Sequence, residues 1–202
     1  GDFTLDIEKV KDWGRSTDGK PYANSMCSDG EYLYIAYSTS SSPRVMSISK
    51  YDPETDPDLS DPEAVTATTT TYTDELHAGV SYYDGKIILF NTDGSCVYVP
   101  ADFSDGAEFQ AYDGFVFKDL GGAALRDVCW SETAQRFAVR SDFDTTAVRL
   151  YDADKNFIAS VKYPGDPQGL GALRMTCNDD YIFINFNKNG YANPAIHVFS
   201  WT

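Results

Sequence analysis

The sequence predicts an all-β protein, a four-bladed β-propeller with the N-terminal strand completing the last blade, on three observations. A turn followed by an alternating apolar strand recurs four times. The recurrence is roughly 50 residues long, the length a four-stranded blade needs. The final copy also runs out of chain one strand short, while the chain begins with a spare strand-like segment.

The copies start at Cys27 (CSDGEYLYIA), Tyr82 (YYDGKIILF), Cys129 (CWSETAQRFAV) and Cys177 (CNDDYIFINF). Their turn positions, Asp29, Asp84, Glu132 and Asp179, are 55, 48 and 47 residues apart. Helical solenoids of similar period would show apolar residues every 3.6 positions, and no stretch here does.

A third strand follows each copy, over Val45–Tyr51, Cys96–Val99, Ala147–Tyr151 and Ala195–Trp201. Asp93-Gly94 and Asn189-Gly190 precede two of them and supply the positive φ of tight hairpins. Fourth strands are expected at Ala64–Tyr72, Phe109–Phe117 and Phe157–Tyr163. The last copy lacks one before Thr202, and the alternating segment Phe3–Val10 is expected to fill the vacancy by pairing with Ile196–Trp201. Such pairing of the two ends removes exposed strand edges. The whole chain, 1–202, then forms one domain with blades at about 22–72, 77–117, 124–163 and 170–202 plus 3–13.

These residues resemble the β-propeller repeat class over almost the whole chain, and the chain is similar to propeller domains of secreted or lipid-anchored bacterial surface proteins. The Tyr-rich, Thr-rich and Lys-poor composition leads us to expect an extracellular, cell-surface or periplasmic location. No WD dipeptide or kelch Gly-Gly signature narrows it to one family, and it transfers no functional residues.

Composition narrows the function classes. Formal net charge is −15, from 31 acidic and 16 basic side chains, so nucleic acid and anionic membranes would meet repulsion. No apolar run is long enough for a membrane-spanning helix. The start at Gly1, without Met or an apolar leader, leads us to expect a mature or trimmed chain. Cys27, Cys96, Cys129 and Cys177 form no C-x-x-C pair, and with two histidines they give no zinc spacing. No metal or cofactor is expected. The segment Asp52–Glu63 alternates carboxylates like a calcium loop, but proline stands where such a loop needs glycine, and an acidic solvated connection is expected instead. Cys27, Cys129 and Cys177 share one place in three copies and are expected to be buried packing groups.

A site is expected where loops from one blade enter the inner strand of the next, because those loops crowd a propeller's channel mouth. The candidate ligand-binding residues there are Asn24, His77, Arg126 and Arg174, with Tyr22 and Tyr163 as stacking walls. Two repeat-equivalent arginines, in Leu125-Arg126 and Leu173-Arg174, suggest a mouth for a carboxylate or other small anion. The competing expectation is that both arginines pair with Asp127, Asp166 or other carboxylates and rivet neighbouring blades. No nucleophile elbow, phosphate loop or H-E-x-x-H motif is present. The expected function is therefore a non-catalytic binding or interaction module, monomeric as a domain, holding a glycan, small anion or protein at the channel mouth. A structural spacer domain of a larger surface protein and a carboxylate-dependent glycan-processing enzyme are the alternatives.

Overall fold

Strands account for most of the computed structural model, which describes residues 22–38, 44–56, 63–69, 76–91, 95–104, 107–121, 123, 125–141, 144–162, 170–188 and 195–201. No helix occurs among them. The expected N-terminal strand 3–10 and the turns at Asp93-Gly94 and Asn189-Gly190 lie outside the described residues.

The first sheet orders β1 (Tyr22–Ser28), β2 (Leu33–Ser38), β3 (Arg44–Tyr51) and β4 (Glu63–Thr69) side by side. The second does the same with β5 (Leu76–Tyr83), β6 (Lys86–Asn91), β7 (Cys96–Pro100) and the two-residue β8 (Gln110–Ala111). The third contains β9 (Leu125–Ser131), β10 (Arg136–Ser141), β11 (Asp144–Asp152) and β12 (Phe157–Lys162). The fourth has three described strands, β13 (Leu170–Cys177), β14 (Tyr181–Lys188) and β15 (Ala195–Ser200). All pairings are antiparallel between sequence neighbours, so each sheet is a meander.

Turn chemistry sets the hairpins. Between β5 and β6, Asp84 (φ 51°) and Gly85 (φ 69°) both take the left-handed conformation a two-residue primed turn demands. Between β11 and β12, Lys155 (φ 61°) closes a turn in which the Asp152 carboxylate accepts the Asn156 amide at 2.8 Å. The Asp52 carboxylate likewise accepts the Glu54 and Thr55 amides, at 3.0 and 3.1 Å, so this acid braces its own turn. The remainder of the acidic segment, 57–62, lies outside the described residues.

Phe109–Phe117, expected as one strand, pairs only at Gln110–Ala111. Beyond it the chain turns at Gly114 (φ 80°), and Phe115 and Phe117 drop into the core. Burial of two aromatic rings outweighs further pairing at a solvated edge.

Sheets pack face to face in chain order. Tyr34, Ile48, Ile87, Leu89 and Val97 fill the junction of the first and second. Phe90, Phe115, Phe117, Trp130, Phe137 and Tyr151 fill that of the second and third. Cys129, Val148, Leu150, Met175, Ile184 and Trp201 fill that of the third and fourth. The fourth sheet's other face keeps Tyr181, Ile196 and Val198 exposed, at 46%, 69% and 54%.

Register corrects one sequence expectation. Cys27 pairs with Tyr34 and Cys129 with Ala138, on faces turned toward the next sheet, whereas Cys177 pairs with Ile182 on the face turned toward the preceding one. Cys177 is thus displaced by one position, and a one-residue shift along a strand reverses the face.

Candidate functional site

The first strands of the four sheets, β1, β5, β9 and β13, line a cavity of about 760 Å³. They run in the same direction around it. Arg174 reaches Asp127 near the leading ends of β13 and β9, while Ser131 Oγ meets Asp179 at their trailing ends.

The trailing end carries the four repeat-turn acids, and each is engaged locally. Burial pushes the Asp29 carboxyl up, but the amides of Tyr32 (2.7 Å) and Glu31 (2.9 Å) and the Tyr34 hydroxyl (2.8 Å) outweigh it and hold the group below its ordinary value. Asp84 pairs with Lys86 at 2.8 Å. Glu132 accepts from Trp130 Nε1 at 2.8 Å and from Gln135 Nε2 at 3.0 Å. Asp179 accepts the Thr133 amide at 3.2 Å across the sheet junction. These carboxylates hold turns and neighbouring sheets together.

The leading end has a different design. Every inner strand is bulged there. The pairing skips Asn24 in β1, His77 and Ala78 in β5, Arg126 in β9 and Leu173 in β13. A bulge leaves its extra residue out of the ladder and re-aims its side chain. Three of the six expected site residues, Asn24, His77 and Arg126, are therefore bulge residues, and Arg174 directly follows the fourth bulge. Tyr22 opens β1 at the same end, while Tyr163 lies outside the described residues. Arg126 and Arg174 are both exposed.

Beneath the arginines lies Asp127, whose side chain is 5% exposed. Arg140 grips it, with Nη2 at 2.6 Å and Nε at 2.7 Å from Oδ2. Arg174 Nη1 lies 3.5 Å from Oδ1, across from β13 to β9, so the rivet expected for Arg174 is present but looser. Its side chain keeps 57% of its surface in solvent, where such a pair contributes little. Burial raises the Asp127 carboxyl above its ordinary value, and the attraction of Arg140 only partly offsets this.

Arg140 was not singled out from the sequence. The available signal was the hairpin itself: β9 and β10 folded about the Glu132–Gln135 turn place residue 140 directly opposite 127.

No protein-family model matches the chain, and no curated protein matches it. Solved structures do. Glutaminyl cyclase of Myxococcus xanthus is similar over 90% of this chain and 75% of that one, at 13% identity and a TM-score of 0.54. BamB of Moraxella catarrhalis covers 91% of this chain and 43% of its own, at 14% identity and 0.42. YCF48, solved with a D1 peptide, covers 87% and 67%, at 8% identity and 0.38. At these identities the likeness shows fold alone. The class is the β-propeller, built here from antiparallel sheets of three and four strands.

Proposed function

We propose that this propeller is a non-catalytic binding module that holds a carboxylate-bearing ligand, such as a uronate-containing glycan, at the leading end of its channel. The observation that supports it is the set of bulges at one end of the four strands, which takes Arg126 of β9 out of the ladder at the end where Arg174 follows the bulge of β13, in a chain of net charge −15. Arg126 and Arg174 would supply planar donors to a carboxylate. Asn24 and His77 would complete the rim, and Tyr22 and Tyr163 would stack on a sugar face. Asp127, already held by Arg140, needs little further charge from Arg174, which leaves that guanidinium available to share.

Calorimetric titration with galacturonate oligomers, citrate and a neutral oligosaccharide tests this. Binding of the acidic ligands, weakened about tenfold or more by Arg126→Ala or Arg174→Ala with little change in unfolding temperature, is expected. Equal binding of neutral and acidic sugars, or indifference to both substitutions, would refute it.

We further infer a ring of four blades closed by residues 3–10 against β15. Support comes from the fourth sheet, which has three described strands where the others have four and ends on β15, and from the exposed Ile196 and Val198 on its outer face, which closure of the ring would turn toward the first sheet. Deleting residues 1–13 is expected to lower the unfolding temperature by roughly 10 °C and promote self-association on gel filtration. A monomer of unchanged stability would remove the closure.

A further inference from the structure

Three of the four cysteines, Cys27, Cys129 and Cys177, are among the residues that line the cavity. Cys129 belongs to the buried core between the third and fourth sheets, and Cys177 packs against that same core from the opposite side. The register that displaces Cys177 by one position is what turns it toward Cys129. Its Sγ donates to the Trp130 carbonyl at 3.2 Å, one residue beyond Cys129. Burial pushes the Cys129 thiol up, and the hydrogen bond and charge of the neighbouring Cys177 add to that. Neighbouring inner strands approach closely: at the preceding junction, a Cβ added to Gly79 of β5 would lie 3.6 Å from the Asp127 Cα of β9. Cys96 is remote from this arrangement, packed between the second and third sheets with its Sγ donating to the Phe115 carbonyl at 3.8 Å.

We propose that Cys129 and Cys177 are a modification site, a dithiol pair that a small-molecule disulfide entering the cavity converts to a disulfide linking β9 to β13. The half-buried Cys177 attacks first. Its thiolate displaces one thiol from the reagent and forms a mixed disulfide, and Cys129 then attacks the Cys177 sulfur and releases the second thiol. The protein loses two electrons and two protons, and the reagent gains both as two free thiols. The link would tie the third sheet to the fourth at the wall of the channel and restrict the unfolded chain between the two cysteines.

Folded protein incubated with hydroxyethyl disulfide, alkylated and digested, gives the test by mass spectrometry. A peptide pair joined through Cys129 and Cys177 is expected, with the protein two hydrogens lighter and Cys27 and Cys96 alkylated. The unfolding temperature should rise by roughly 5–10 °C and return after dithiothreitol. Cys27→Ser should leave the linked pair unchanged. A persistent mixed disulfide at Cys177, a Cys27–Cys177 link, or reaction only in urea would overturn the assignment.

Discussion

Replacing Arg140 by methionine is expected to destabilise the domain by about 3 kcal/mol at neutral pH, because it leaves the Asp127 carboxylate buried with only the looser, largely solvated Arg174 contact at 3.5 Å. Methionine keeps much of the arginine's apolar stem, so lost packing contributes little. The pH dependence identifies the cause. The Asp127 carboxyl is already raised by burial, and without Arg140 it rises further. A carboxyl raised above its unfolded value penalises the fold only while ionised, so the deficit should shrink as pH falls through the folded value. Urea denaturation across pH 7 to 5 would read this directly. Removing both charges, as Asp127→Asn with Arg140→Met, should recover stability to within about 1 kcal/mol of the natural chain. A double variant as weak as the single one would mean that shape, not charge, governs the site.

Phe137→Ala is expected to cost about 4 kcal/mol. The ring is fully buried and lies at the centre of an aromatic cluster, with centroids 4.4 Å from Trp130, 4.9 Å from Tyr83, 5.3 Å from Phe117 and 5.6 Å from Phe115. Edge and tilted contacts of this kind add to the area the ring removes from water. Because Phe115 and Phe117 come from the segment that leaves the second sheet after β8, truncation removes the surface on which that segment docks. The midpoint of urea unfolding should fall with little change in its slope. A loss below about 1 kcal/mol would show that the cluster collapses to fill the gap.

The sequence pattern made the strands legible because each repeat combines a polar turn with a short, bounded apolar segment, as in Asp84-Gly85 followed by the continuous buried run Ile87 to Phe90. It was less informative about facing. Aligning the copies on Asp29 and Asp179 placed Cys177 beside Cys27, but the two turn amides that Asp29 accepts in the first sheet are accepted by Asn178 in the fourth, so Cys177 is the counterpart of Ser28. That offset of one residue reverses the face, and only the pairing reveals it. The bulges at Asn24, His77 and Arg126 were equally hidden, since an inserted residue leaves no compositional mark. What the sequence did offer was the repetition of Leu-Arg at 125–126 and 173–174, which led to the end of the channel where the bulges cluster. Arg140 escaped notice because its role comes from a partner strand and from burial of Asp127, neither of which shows in a one-dimensional repeat.

The partition of aromatic residues between junctions has an optical consequence. Trp130 lies in the core between the second and third sheets and Trp201 in the core between the third and fourth. Each indole N–H is engaged, with Glu132 for one and the Asn178 carbonyl for the other. Emission from the two should therefore report on two separate sheet junctions. With Trp13 replaced by phenylalanine, variants keeping only Trp130 or only Trp201 become colour-coded gauges of which junction parts first. Tyr83, 4.7 Å from Trp130 between ring centres, would feed excitation to the former alone.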